Sequence, residues 1–139
     1  MAYVKKHHLI NKATKRNKDG SIDMTYELEL PWFNKNLNPN EKASKMAIYR
    51  HRKKQKNDAF WIAKQAGTPS VRDTYQLQVL FCPPISRHRD IDNCMAACKG
   101  MFDGIALAWG VNDKDFRFPN PDFGDVIKHG KVLITIEKI

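Results

Sequence analysis

From residue 22 to residue 30 apolar and polar side chains alternate, with Met24, Tyr26, Leu28 and Leu30 on one side and Thr25, Glu27 and Glu29 on the other. A period of two marks a half-buried strand, and Pro31, which has no N–H to give a ladder, ends it. The alternation returns over 74–81, where Tyr75, Leu77, Val79 and Phe81 oppose Thr74, Gln76, Gln78 and Leu80. It returns again over 132–136, where Val132, Ile134 and Ile136 oppose Leu133 and Thr135. Between the first two strands the period lengthens. Residues 41–66 read as one long helix that Asn40 can cap and Gly67 can stop. A second helix is predicted over 94–108, because Cys94, Ala97, Cys98, Met101, Ile105 and Ala108 recur at helical spacing. Asp92 or Asn93 is its expected cap and Gly110 its stop. Phe116 and Phe118 suggest a short strand, followed by a loop over 119–130. Residues 3–10 fit a strand that turns at Asn17-Lys18-Asp19-Gly20. They fit a basic arm equally well. This order predicts an α+β (mixed α/β) domain with two main helices packed on a single sheet.

Length and charge refine that picture. The 139 residues are one domain's worth. The expected division is a basic extension or hairpin strand at 1–21 and a single domain at 22–139. No apolar run approaches the length needed to span a bilayer. The start of the chain lacks the apolar core of a secretory signal, so none is expected. The three cysteines lack zinc-ligand spacing, and Cys94 and Cys98 lie four apart on the apolar helix face. They and Cys82 read as reduced core residues, which implies a cytoplasmic setting. Neither a Gly-rich phosphate loop nor a zinc finger is visible. His7-His8 has no further nearby ligand and reads as no metal site. The formal charge of +9 is uneven: residues 1–56 hold 14 Lys and Arg against 5 acids, and residues 57–139 hold 10 against 10. The whole excess therefore lies in the first two-fifths, where Arg50, Arg52, Lys53, Lys54 and Lys56 crowd the long helix. A cationic block without interspersed acids suits a polyanion such as DNA. Its other reading is the solvated face of a core helix.

The chemistry concentrates at residues 89–113. Asp90 and Asp92 flank Ile91, so an extended backbone would point both carboxylates one way. Asp92, Ala96, Lys99 and Asp103 recur at steps of three and four, so Lys99 is expected to project from the same helix face as Asp92, two turns along. Asp113 follows the helix and can return to its start if the chain folds back. Three hard oxygen donors with positions left for water and phosphate suit Mg2+. Together with a lysine they can position a metal, activate water and offset charge on a pentavalent phosphate. Arg87 and Arg89, beside Asp90, are placed to hold a phosphate. His88 ranks below the aspartates, since metal-activated water needs no histidine. Asn34 and Lys35, in the loop after the first strand, either touch phosphates or make turns. Phe116, Phe118 and Phe123 either stack on unpaired bases or pack in the core. Taken singly, the aspartates are also caps and turn residues, and Asp103 is ordinarily a solvated helix residue.

In combination these residues resemble the RusA-type Holliday junction resolvases, common in phages and prophages. That family's pattern is Asp-x-Asp-Asn, a lysine on the following helix, and an Asp-Asp pair whose second member is catalytic. The matching residues here are Asp90, Asp92, Asn93, Lys99 with Phe102-Asp103 behind it, and Asp113. The match is close over 89–115 and looser at Leu30-Pro31-Trp32 and over 130–136. The resemblance implies a cytoplasmic homodimer, in a bacterium or a phage-infected host. It would nick two opposing strands of a four-way DNA junction with Mg2+ (Mn2+ also possible), leaving 5′-phosphate and 3′-hydroxyl ends. Asp90, Asp92 and Asp113 would hold the metal, and Lys99 would stabilise the charged transition state. Two departures stand out. The family lysine usually follows the second aspartate by one turn, whereas Lys99 follows Asp92 by seven residues, so either the helix is a turn longer or Ala96 takes the lysine's place. The Asp-Asp pair is also Asn112-Asp113, which keeps the catalytic member. Two other functions are compatible with the sequence: a basic DNA-binding protein without catalysis, and a nuclease with relaxed choice among branched DNAs.

Overall fold

In the computed structural model, which describes residues 11–16, 22–67 and 74–138, the alternating strands pair as their patterns require. Strand β2 (Ile22–Pro31) lies antiparallel to β6 (Lys131–Lys138), and β6 lies antiparallel to β3 (Tyr75–Cys82). The register sets Leu28, Ile134 and Val79 side by side, with Tyr26, Ile136 and Leu77 in the next row and Leu30, Val132 and Phe81 beyond. All nine face one buried layer. Glu27, Glu29, Gln78 and Thr135 take the alternate positions and stay partly or fully exposed, so each strand buries one side, as the period of two predicts.

The edges complete a mixed sheet. Strand β1 (Asn11–Arg16) pairs antiparallel with β2, and Arg16 opposite Ile22 closes a hairpin. The expected turn residues 17–20 and the expected strand at 3–10 lie outside the described residues. On the other edge, β4 (Phe116–Arg117) and β5 (Asp122–Phe123) both run parallel to β3, one at each end of it. The sheet order is β1-β2-β6-β3-β4, with β5 also on β3. No helix among the described residues is long and apolar enough to cross a membrane.

Three α-helices lie among the described residues rather than the two expected. Helix α1 (Lys45–Ala66) starts four residues later than its pattern suggested. Asn40 does not cap it. The side chain of Asn38 ties residues 38–40 into a turn by accepting from the Asn40 N–H, and Ser44 caps the helix by accepting from the Ala47 N–H. Only the second half of α1 is buried, through Ala59, Ile62, Ala63 and Ala66. Its first half carries the cations on exposed positions, while Ile48 packs partly against the core.

The second predicted helix is two: α2 (Ile91–Ala97) and α3 (Lys99–Trp109). The break sits at Cys98, with φ −101° and ψ 11°. Its cause is tertiary. Gln55 of α1 donates its side-chain amide to the Ala97 carbonyl at 3.0 Å, which takes up an acceptor the broken helix frees. Beyond the break, Gly100 and Gly104 lie against α1. A Cβ on Gly100 would stand 3.0 Å from the Arg52 carbonyl, and one on Gly104 would collide with the Lys56 carbonyl. Alanine for glycine inside a helix ordinarily stabilises by about 1 kcal/mol. Here Gly104→Ala is expected to destabilise by about 1–3 kcal/mol, because the helices must part. Urea unfolding measures it, and a stabilised variant would contradict the close approach.

The free thiols Cys82, Cys94 and Cys98 are buried. Burial pushes all three up from the ordinary thiol range, Cys98 furthest. Since the thiolate is the reactive form, a disulfide reagent near neutral pH is expected to label none of them quickly in the native protein and all three after denaturation. Fast native labelling would contradict the packing around α2 and α3.

Candidate active site and basic face

The site is built where β3 hands over to α2. Cys82-Pro83-Pro84 ends the strand, and residues 85–90 run as a loop to the helix. Arg89, expected to hold a phosphate, lies over the Trp32 ring at 5.2 Å. Trp32 in turn stacks on Phe33, with ring centroids 4.7 Å apart. The Arg89 Nη2 donates to the Ile85 carbonyl at 3.5 Å, and its Nε is buried without a protein partner. Burial, then the neighbouring Arg87, pulls Arg89 down from the usual guanidinium range. Arg89 thus fixes the loop that delivers Asp90, while Arg87 and His88 stay exposed beside it.

Asp90 is the cap of α2, in place of Asp92 or Asn93. Its backbone is extended, with φ −93° and ψ 122°, and its carboxylate accepts from the Asp92 N–H at 2.9 Å. Asp92 already belongs to the first helical turn. The two residues therefore sit at one helix mouth, placed there by a cap and not by strand alternation. Both are exposed, and the aligned N–H groups there favour negative charge.

Lys99 begins α3. The break at Cys98 removes the continuous face that would have joined it to Asp92, and it pairs instead with Asp103 at 2.8 Å and Asp113 at 3.4 Å. Asp113 reaches Lys99 because Gly110 adopts a left-handed conformation, φ 66°, that ends α3 and reverses the chain. The Val111 N–H then bonds the Ala106 carbonyl, and Asn112 caps the short turn Asp113–Asp115 by accepting from the Lys114 N–H. The chain does turn back after α3, but it brings Asp113 to Lys99 and not to the helix start at Asp90 and Asp92 that the sequence suggested. Asp103, read as a solvated residue, is half-buried and is the nearer partner of Lys99. The signal for it was the spacing of four between the two on one helix. The hydrogen bond that Lys99 donates to Asp103, with further help from Asp113, holds the Lys99 ammonium above the usual lysine range, against a smaller opposing effect of burial.

Asp90, Asp92 and Asp113 are hard oxygen donors of the kind that Mg2+ takes, and at least one oxygen of Asp90 is free of the cap. Among the described residues, no three His, Cys, Asp or Glu side chains converge closely enough to cage a cation. The donor chemistry fits Mg2+, which usually binds one or two protein carboxylates and fills its remaining positions with water and phosphate.

The cations of α1 do not form one face. Arg52, Lys53 and Lys56 line a groove towards α3 together with Asp103 and Leu107. Lys54 turns the other way, pairs with Asp58 at 2.8 Å, and borders the loop of Trp32 and Asn34. Arg50 is exposed. In that loop Asn34 makes a turn, accepting from the Asn36 N–H, while Lys35 is exposed. Phe116 is buried and Phe118 packs on Phe102 at 4.6 Å, which settles both as packing residues; Phe123 is part-exposed beside Phe81.

No protein-family model matches the sequence. An uncharacterized protein of Xylella fastidiosa (strain Temecula1) is 34% identical to it over 123 residues, covering 85% of this chain and 80% of the relative. The chain belongs to the same family as that Xylella protein.

Proposed function

We propose that this protein is a Mg2+-dependent endonuclease for branched DNA, acting on four-way junctions as a homodimer in the manner of the RusA-type resolvases. The observation that carries the reading is the pairing of Asp113 with Lys99, at the start of α3, two residues beyond the helix whose mouth holds Asp90 and Asp92. Four residues scattered over 24 positions are thereby tied to two consecutive short helices, beside a cationic helix.

Asp90, Asp92 and Asp113 would hold the metal. When bound, Mg2+ supplies an acidified water and neutralises charge on the phosphate. Lys99 keeps its proton through neutral pH and offers N–H donors to a phosphoryl oxygen as negative charge grows there. Asp103 holds the ammonium in place. Arg87 and the cations of α1 anchor the flanking backbone. A two-fold dimer would present two such sites to the two-fold substrate.

Because the folded protein raises the Lys99 pKa, the charged form is present below the ordinary ammonium range and is lost only as pH rises past the raised value. Cleavage is therefore expected to show no falling limb from Lys99 between about pH 7 and about pH 9.5. Lys99→Gln is expected to slow cutting by about a hundredfold or more, the usual effect of losing one charge-stabilising donor. Single-turnover rates across that range check both. The reading as a whole is tested by incubating the protein with a labelled four-way junction and with a linear duplex, with and without Mg2+. Cutting restricted to junction plus metal supports it; binding without cutting in Mg2+ and Mn2+ sinks it.

One observation favours a second reading. Asp90 is already a cap, and Asp113 already an ion-pair partner, so a non-catalytic DNA-binding protein would also use them. Equal cutting of flaps, forks and junctions would instead make this a nuclease of relaxed selectivity.

A further inference from the structure

Exposed large apolar side chains are few on the described surface, and three of them border one groove between α1 and α3. Tyr49 is 61% exposed, Trp61 58% and Leu107 59%. The groove encloses about 660 Å³ and its remaining walls include Arg52, Lys53 and Lys56. Lys53 sits 5.9 Å from the centre of the Tyr49 ring, and Phe60 braces Trp61 edge-on at 5.0 Å. Tyr49 and Trp61, twelve positions apart, are separated by about 18 Å along the helix. That is the length of about five stacked nucleotides at ~3.4 Å per base. The acidic member of the lining, Asp103, is already paired with Lys99.

From this we infer that the groove binds an unpaired strand of nucleic acid, whose bases stack on Tyr49 and Trp61 and whose phosphates meet Arg52, Lys53 and Lys56. Two arguments select that occupant. A second copy of the chain related by a two-fold axis would set these three cations against themselves, whereas a polyanion neutralises them. The bases of a duplex are already stacked on each other, so exposed rings have most to offer a single strand. Asp103 belongs both to the groove and to the Lys99–Asp113 cluster, so a strand lying in the groove passes beside the candidate site. The inference rests on and deepens the proposed function, naming nucleotides left unpaired at the branch point as part of the substrate, but binding does not depend on cutting.

The test is fluorescence anisotropy of the full chain with a labelled twelve-nucleotide oligothymidylate and with a twelve-base-pair duplex, in EDTA. The single strand is expected to bind more tightly than the duplex. Trp61→Ala and Tyr49→Ala are each expected to weaken it by roughly five- to a hundredfold, with Trp61→Phe restoring most of the loss. Both positions are exposed, so the folded state should survive, which circular dichroism checks. Single-strand affinity unchanged in both alanine variants overturns the inference. So does a change in oligomeric state in those variants with affinity intact, which would assign the face to a second copy. Asp90→Asn separates the two proposals. If wild type never cuts but Asp90→Asn and wild type both bind single strand through Trp61, the nuclease reading fails and the groove stands; if wild type cuts junctions and Trp61→Ala binds single strand as before, the reverse holds.

Discussion

Asp90→Asn is expected to lower junction cleavage by about a thousandfold or more while leaving stability almost unchanged. The two halves of that result come from different properties of one side chain. As a cap, Asp90 supplies an oxygen to the Asp92 N–H. Asparagine supplies an equivalent oxygen and caps about as well, so the change in stability should stay within a few tenths of a kcal/mol. As a metal ligand, the carboxylate supplies negative charge that an amide lacks. Metal assistance contributes several kcal/mol to phosphoryl chemistry, and about 4 kcal/mol is a thousandfold at 1.36 kcal/mol per decade. Asp90→Ala makes the contrast, since it loses the cap as well and should cost about 1 kcal/mol of stability. Single-turnover cleavage beside urea unfolding reads both. A fully active Asp90→Asn would reduce Asp90 to a cap and remove the proposed site.

Trp109→Ala carries the largest expected effect on folding, a loss of about 3–5 kcal/mol. Trp109 is 1% exposed, with its ring 5.2 Å from Tyr26 and 6.0 Å from Tyr75. Its indole N–H donates to the Ala63 carbonyl at 3.1 Å, which joins the end of α3 to α1 and to the sheet at once. Truncation leaves a cavity and a buried carbonyl without its donor. Against a typical total of about 5–15 kcal/mol, such a loss can leave the chain largely unfolded. Trp109→Phe keeps most of the ring and loses only the donor, for an expected cost of about 1–3 kcal/mol. Far-ultraviolet circular dichroism during denaturation measures both. If Trp109→Ala unfolded at the wild-type midpoint, the anchoring of α3 would be wrong, and with it the support of Lys99 and Asp113.

The strands were legible because each buries one side only, so the side-chain alternation of β2, β3 and β6 directly records the core. The helix boundaries were less so. Asn40 and Ser44 are both good caps, and what decides between them is the turn made by Asn38, a local hydrogen bond that periodicity does not register. The break at Cys98 was illegible for a stronger reason. The residues responsible, Gln55 and the pair Gly100 and Gly104, act across more than forty positions of sequence, and the apolar period runs through the break undisturbed.

The candidate site divides the same way. Asp90, Asp92, Lys99 and Asp113 stood out by type and order, and Gly110 marked the helix end beyond which Asp113 turns to Lys99. Their arrangement in the fold depended on contacts the order alone does not specify: the capping role of Asp90, the pairing of Lys99 with Asp103, and the stacking of Arg89 on Trp32. The basic block of α1 was plain in composition, but five closely spaced cations on one helix cannot share a face, and the packing of α1 sends Lys54 one way and Arg52, Lys53 and Lys56 the other.

The most direct test of the central claim is to map cuts on a four-way junction labelled on each strand in turn, with Mg2+ present and with EDTA in its place. Paired nicks at symmetric positions on two opposing strands, seen only with Mg2+ and absent in Asp90→Asn, are the expected result. Cuts that persist in EDTA, or a junction left whole in both Mg2+ and Mn2+, would contradict it.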